Sequence, residues 1–138
     1  MRVAVLVSND LTYDQRVSKI CNSLQHKNWE VRLIGVLKSE STPLQRSYST
    51  QRLNVFFSKG PLFYFMLNFR MFFYLLFHKT EIIWANDLDV LWPAVLMKKL
   101  RGTKVIYDSH EYFTEAEGLT GRKRIKAIWT RIEKRCVP

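Results

Sequence analysis

His110 has the side chain best suited to chemistry in this sequence, because it follows a short apolar run and has Asp108 and Glu111 close by. An imidazole can donate or accept a hydrogen bond near neutral pH, and neighbouring carboxylates fix which ring nitrogen carries the proton. We predict that His110 is catalytic and that Glu111 contributes to substrate binding. The alternative is a histidine that only completes the hydrogen bonds of a loop.

A second polar segment, with Asn86, Asp87 and Asp89, follows another apolar run. Amide and carboxylate groups form hydrogen bonds with the hydroxyls of a polyol. The same residue types are also common helix N-caps. We predict that all three residues bind substrate, and we expect Asp87 or Asp89 to cap the helix that follows.

A third polar segment, residues 8–16, follows the first apolar run. In it we predict the substrate-binding residues Asn9, Asp10, Thr12 and Arg16. Arg16 can hold a phosphate or a carboxylate; the alternative is that Asp14 caps a helix while Arg16 forms an ion pair. The segment has no glycine, whereas a dinucleotide fingerprint needs several, and no glycine-rich segment ends in Lys-Ser or Lys-Thr. Nicotinamide, flavin and P-loop nucleotide sites are therefore not expected.

The apolar patterns predict the elements that would position these segments. Continuous apolar runs indicate buried parallel strands at 3–7, 29–37, 52–57, 81–85 and 105–107. Helical spacing indicates helices at 13–27, 62–77, 88–101 and 125–136, and the polar residues 38–51 indicate a loop. Alternating strands and helices form right-handed βαβ units, so we predict one α/β domain over 1–138 with a doubly wound parallel sheet. Ligands bind at the carboxyl ends of such strands, where all three polar segments fall.

The composition favours an anionic partner. Twenty-two Lys and Arg residues against 12 Asp and Glu give a net charge of +10, which suits phosphates, acidic lipid surfaces or nucleic acid. Cys21 and Cys136 are far apart and lack metal-ligand spacing, so neither a zinc site nor a disulfide is expected. The first residues run directly into a strand rather than a signal peptide, and we therefore expect a cytoplasmic protein.

Residues 62–77 form the most unusual segment, with six Phe, two Tyr, two Met and four Leu. A membrane-spanning helix needs about 20 apolar residues, and this run is shorter and holds Asn68 and Arg70 in its middle. Two alternatives are a helix packed on the sheet, which we favour, and a helix lying in a membrane interface with its aromatic face exposed. The second alternative, together with the basic segment 125–136, predicts peripheral contact with the inner face of the membrane.

Five short motifs give the chain a resemblance to the N-terminal domain of glycosyltransferase family four, especially to members that act on polysaccharide or lipid-linked acceptors. They are ND at 9–10 with DQRV at 14–17, WEVRLIG at 29–35, DLD at 87–89 with PA at 93–94, and YDSHE at 107–111. The likeness covers essentially all of the chain.

The resemblance implies a GT-B enzyme, in which two Rossmann-like domains face each other across a cleft. The first domain would hold a saccharide or lipid-linked acceptor, and the second a nucleotide-sugar donor. It implies hexosyl transfer with retention of configuration, without a bound metal or other cofactor. His110 matches a family histidine that reaches toward the donor sugar, and residues 9–12 match a segment near the donor phosphates and the acceptor.

The sequence departs from that family in two respects. Many relatives have glycines in the first turn, so backbone binding of phosphate is not expected here. Nothing in the chain corresponds to the basic residues and the glutamate-containing donor motif of the second domain. We therefore expect that the C-terminal domain is missing and that the chain alone has little or no transferase activity, because a leaving diphosphate needs preorganised cations. Apolar surface left by the missing domain would favour a homodimer.

Two other functions fit parts of the sequence. One is a non-catalytic basic α/β module that binds an anionic membrane surface or RNA, which would not need His110. The other is a receiver-like signalling domain in which Asp10, Asp87 and Asp108 hold magnesium, but such a domain would want an acid after the third strand, and Phe57 to Gly60 contain none. The transferase hypothesis is favoured over both, and no nucleic-acid partner is expected.

Overall fold

The protein was analysed as a computed structural model, which describes residues 1–109 and 130–131. Its strands are β1 (Arg2–Leu6), β2 (Glu30–Leu37), β3 (Ser49–Asn54), β4 (Ile82–Asn86) and β5 (Lys104–Asp108). Its helices are α1 (Gln15–His26), α2 (Gly60–Phe77) and α3 (Leu91–Arg101), and a short 3-10 turn, Leu88–Val90, precedes α3. The five strands are all parallel, in the order β3-β2-β1-β4-β5.

Each face of the sheet has its own apolar core. On one face α2 and α3 cover side chains such as Leu6, Ile34 and Ile83. On the other face α1 supplies Val17 and Cys21, which are fully buried. Continuous apolar strands are buried on both sides only when helices cover both faces, so the prediction of a doubly wound parallel α/β domain is confirmed.

The start of α1 and the end of α3 have the residue types that are typical of those positions, but the start of α3 does not. Asp14 caps α1 by accepting a hydrogen bond from the Val17 N–H (3.0 Å). Gly102 ends α3 in the left-handed region (φ 67°), directly after a basic last turn. The prediction of an Asp87 or Asp89 cap is wrong, because neither the 3-10 turn nor α3 begins with a side-chain capping hydrogen bond.

The third strand lies earlier in the chain than expected. It spans Ser49–Asn54 rather than 52–57, and most of its residues are only half buried. β3 is an edge strand that pairs with β2 alone, so its polar side chains remain partly in water. The apolar residues that indicated a strand, Phe56 and Phe57, lie beyond it and are exposed.

Helix α2 has one face in the core, as predicted. Phe63, Leu67, Met71 and Leu75 are each at most 7% exposed and pack over the sheet. By length and composition alone α2 could cross a membrane, although a core helix passes the same test. The predicted helix 125–136 lies outside the described residues except for Thr130 and Arg131, which are helical.

Candidate functional site

The carboxyl ends of β1 and β4 form the candidate site. β1 lies between β2 and β4, and the chain proceeds from β1 toward one edge of the sheet and from β4 toward the other. The helices that follow these strands, α1 and α3, cover opposite faces. A crevice opens where the strand order reverses in this way, and open α/β sheets bind ligands there.

Asn9 shapes the turn after β1. Its amide donates to an Asp14 carboxylate oxygen (2.7 Å), and its side-chain oxygen accepts from the Leu11 N–H (2.9 Å). That second bond closes an Asx turn, which accommodates the left-handed backbone of Leu11 (φ 71°). The Asn9 side chain therefore has a structural role in the turn and links it to the α1 cap.

Asp10 and Thr12 belong to a network on the β3 side of this turn. The Thr12 hydroxyl donates to Asp10 (2.7 Å), the Ser41 hydroxyl donates to the same carboxylate oxygen (3.3 Å), and Arg52 donates to Thr12 Oγ1 (3.1 Å). Burial opposes ionisation of Asp10, but the hydrogen bonds from Thr12 and Ser41 and the charge of Arg52 together lower its pKa. Asp10 is therefore a hydrogen-bonded carboxylate at neutral pH.

The turn also passes unusually close to β2. The Val36 N–H donates to the Asn9 carbonyl (2.8 Å). A Cβ added at Gly35 would meet that carbonyl oxygen at 2.5 Å and the Leu11 side chain at 2.5 Å. Only glycine allows this approach, so Gly35 fixes the position of the turn over the sheet.

Arg16 connects α1 to the ends of β4 and β5. Its guanidinium donates to Asp108 (2.8 Å) and more weakly to the side-chain oxygen of Asn86 (3.4 Å). The Asn86 amide in turn donates to the Leu6 carbonyl (3.2 Å), and Asn86 is 1% exposed. The ion-pair alternative for Arg16 is thus the arrangement in the structure, and the pair is partly exposed at the crevice.

Asp89 is the most perturbed acid in the site. It is 5% exposed, and burial raises its pKa to about 6, assisted by the charge of Asp87 and opposed by a hydrogen bond with Ser8. Within the described part of the chain its Oδ1 atom has no hydrogen-bond partner. Asn68 of α2 donates to the Asp89 carbonyl (2.7 Å) and so ties this segment to the helix.

Asp87 has a strained backbone at the end of β4. Its φ of 75° and ψ of 161° lie in a region that is almost confined to glycine. Its N–H donates to the Asp108 carbonyl (3.1 Å), which helps to hold the conformation. Strain of this kind costs on the order of 1–3 kcal/mol and clusters at functional sites.

The structure therefore brings most of the predicted residues to one edge of the sheet, in three groups. Asn9, Asp10 and Thr12 lie in the turn after β1; Arg16 and Asn86 meet Asp108; Asp87 and Asp89 follow β4. Asn86 and Asp89 are buried, so a substrate would reach them only after local opening. His110 and Glu111 lie outside the described residues, and their roles stay predictions.

Sequence reasoning missed three residues that shape this edge. The sequence places Arg52 in a predicted strand and Asn68 in the middle of an apolar helix, and it predicts no contact with the site for either residue. Tyr13, at the end of the first turn, is 86% exposed. The sequence does show a tyrosine directly after the polar turn, whereas the contacts of Arg52 and Asn68 depend on long-range packing.

Over residues 1–109 and 130–131, no group of three or more His, Cys, Asp and Glu side chains is placed to hold a metal ion. Asp108 accepts a hydrogen bond from Arg16 and Asp10 accepts one from Thr12, which does not favour the receiver-like hypothesis.

A groove of about 410 Å³ lies at the opposite, amino-terminal edge of the strands, beside Arg2, Arg32 and His78.

Comparison with known proteins identifies the fold. No family model and no curated protein sequence matches the chain. Sucrose-phosphate synthase from Thermosynechococcus elongatus matches with a TM-score of 0.69 at 15% identity, over 94% of this chain and 39% of that one. UDP-GlcNAc 2-epimerase from Methanocaldococcus jannaschii matches with a TM-score of 0.57 at 12% identity, over 96% of this chain and 37% of that one. The fold is a Rossmann-like α/β domain, as in parts of these proteins.

These similarities concern architecture. At such identities they establish the Rossmann-like fold and no residue roles. The chain spans less than two fifths of either protein named above, and it covers 71% of the chain in a second sucrose-phosphate synthase structure (TM-score 0.57).

Proposed function

We propose that this chain is the acceptor-binding, N-terminal domain of a retaining GT-B glycosyltransferase of family four. In this proposal a hexosyl group moves from a nucleotide-sugar to a saccharide or lipid-linked acceptor. The acceptor binds at the carboxyl ends of β1 and β4, and a second domain binds the donor. The fold shared with a sucrose-phosphate synthase and a UDP-GlcNAc 2-epimerase supports a role in nucleotide-sugar chemistry.

The polar side chains of the turns after β1 and β4 are the observation that carries the proposal. They bring hydroxyl, amide and carboxylate groups to the edge where open α/β sheets bind ligands. Such groups recognise sugar hydroxyls through hydrogen bonds, and the exposed ring of Tyr13 offers an apolar face beside them. The buried Asp89 and the strained Asp87 are further marks of a functional edge.

In the proposed mechanism His110 faces the donor sugar from the segment after β5. Asp108, two residues before His110 in the sequence, accepts a hydrogen bond from Arg16. The diphosphate leaving group would be stabilised by cations of the second domain, because Arg16 is already paired within this one. Neither a metal ion nor an organic cofactor is needed for this division of roles.

Saccharide binding by the chain is the direct test. A panel of oligosaccharides and nucleotide-sugars is screened by saturation-transfer NMR, and affinities are then measured by calorimetry. We expect oligosaccharide binding that Tyr13→Ala and Thr12→Ala, both in the turn after β1, each weaken about tenfold, which corresponds to losing about 1.4 kcal/mol of contact. Tyr13 is exposed, so its substitution should leave the fold intact.

His26→Ala is the matched control, because His26 is exposed at the last turn of α1, away from the crevice. It should leave saccharide affinity unchanged. Absence of any saccharide binding, or equal losses in all three variants, would refute the proposed site. Sustained turnover of nucleotide-sugars by the chain alone would instead refute the assignment of the donor to a second domain.

A further inference from the structure

The outer face of α2 carries a continuous apolar stripe. Leu62, Phe65, Phe69 and Phe73 are spaced so that they share one side of the helix, and they are 57%, 67%, 48% and 40% exposed. Their rings touch in sequence: Phe65 and Phe69 stack with centroids 6.2 Å apart, and Phe69 lies 4.7 Å from Phe73. Four large apolar side chains aligned in water are unusual for a monomeric soluble surface.

The stripe continues onto the neighbouring helix. Phe72 contacts both Phe73 (5.5 Å) and Trp92 of α3 (6.3 Å), and Trp92 is itself 41% exposed. We call the surface of Leu62, Phe65, Phe69, Phe73 and Trp92 the aromatic face. It spans two helices that pack side by side on the same side of the sheet.

The inner side of α2 shows that this helix lies on the protein rather than leaving it. Leu67 and Met71 are completely buried against the sheet, and Asn68 bonds to the segment after β4. Insertion of α2 across a bilayer would uncover that side of the sheet and break this bond. An apolar surface that covers the aromatic face must therefore lie against the outer side of α2, with its plane parallel to the helix axis.

The two helices that carry the aromatic face have charges of one sign. Helix α2 contains no Asp or Glu and the cation Arg70, with Lys59 directly before it and Lys79 shortly after it. Helix α3 contains no acid and three cations in its last turn, Lys98, Lys99 and Arg101. The Arg70 guanidinium lies 5.5 Å from the centre of the exposed Phe56 ring, at the margin of α2.

We propose that the aromatic face binds the interfacial layer of an anionic lipid bilayer. Exposed Phe and Trp side chains enter the boundary between headgroups and acyl chains, while the surrounding Lys and Arg residues meet the lipid phosphates. A second copy of the chain fits less well, because pairing the aromatic faces would bring the cations of α2 and α3 of both copies together, and neither helix has an acid to offset them. RNA would use the cations but would not explain an apolar stripe along a helix.

Vesicle co-sedimentation tests this proposal without any sugar, and so independently of the proposed transferase function. Vesicles of phosphatidylcholine are compared with vesicles that also contain phosphatidylglycerol. We expect binding to the anionic vesicles that weakens with salt and falls at least about tenfold on neutral ones. The triple substitution Phe65→Ser, Phe69→Ser and Phe73→Ser keeps the net charge and should lower binding at least about tenfold.

Two further variants separate the contributions. Lys98→Gln with Lys99→Gln should weaken binding to anionic vesicles only, and Tyr13→Ser, which removes an exposed aromatic ring off the aromatic face, should have no effect. Circular dichroism checks that each variant is folded. Vesicle binding that survives the triple substitution would overturn the proposal, as would a wild-type protein that binds no vesicles. If the wild type binds no vesicles, two further results decide the role of this surface. A dimer in sedimentation that the triple substitution dissociates would assign the aromatic face to self-association. Salt-sensitive RNA binding that the triple substitution leaves unchanged would assign the positive charge to RNA binding.

Discussion

Replacing Asp89 by asparagine should stabilise the protein at neutral pH and have little effect under acidic conditions. Burial raises the Asp89 pKa from 3.8 to about 6. The ionised carboxylate therefore costs the folded protein about 3 kcal/mol of stability at neutral pH. Asp89 is 5% exposed, so solvent screening reduces this cost little. Asparagine has nearly the same shape and is neutral at every pH.

The sign of the pH dependence follows from proton uptake. Between about pH 4 and about pH 6 the folded protein holds a proton on Asp89 that the unfolded chain has released, so the contribution of Asp89 to stability falls as the pH rises through this window. Above it the deficit is constant. The difference in unfolding free energy between Asp89→Asn and wild type should therefore grow from near zero at about pH 4 to about 3 kcal/mol at about pH 8.

Urea denaturation followed by circular dichroism at a series of pH values measures that difference. Asp10→Asn is the matched control, because its hydrogen bonds lower the Asp10 pKa and the pH trend must have the opposite sign. That variant should lose stability relative to wild type as the pH rises toward 3.8, the ordinary pKa of aspartate, and the difference should stay constant at higher pH. A difference for Asp89→Asn that does not vary with pH, or that shrinks toward neutrality, would refute the reasoning.

Three further substitutions test the framework of the site, each by the free energy of unfolding in urea. Gly35→Ala should cost about 1–3 kcal/mol, because its methyl group meets the Asn9 carbonyl, and an unchanged stability would mean that the turn is not held over β2. Asp14→Ala should cost about 1 kcal/mol through loss of the α1 cap, and Asp14→Asn should retain most of the stability. Leu67→Ala should cost about 3 kcal/mol or more, because Leu67 is fully buried. Leu62→Ala, on the exposed side of the same helix, should change stability by no more than about 0.5 kcal/mol. Similar costs for both substitutions would contradict the packing of α2.

The apolar pattern predicted the central strands and helices α1, α2 and α3, because burial of a strand on two faces requires a continuous apolar run. It failed at β3, where one edge is free and the side chains stay half in water, so Ser49 to Asn54 carry no apolar signature. It also failed at the start of α3. There a residue type suited to capping was assigned that role, but the backbone turns through the strained Asp87 and buries Asp89 instead.

The location of the candidate site was predictable, but its internal pairing was not. Parallel strands place their carboxyl ends along one edge, so polar segments after β1 and β4 had to be neighbours. Which side chain bonds to which depends on contacts between residues far apart in sequence, such as Arg16 with Asp108 and Arg52 with Thr12. No local pattern records those contacts. The same holds for the aromatic face, since a run of Phe and Leu does not tell which ring turns away from the sheet.

The position of β1 at the middle of the sheet has a consequence for how the chain reaches its native state. β1 precedes both of its partners, with Val3 beside Val31 on one side and beside Ile82 on the other. During synthesis β2 and α1 can pack against β1 early, but the edge of β1 that pairs with β4 remains open until β4 has left the ribosome. Pairings of this sequence separation form slowly, so the nascent chain passes through a stage at which chaperones could bind it.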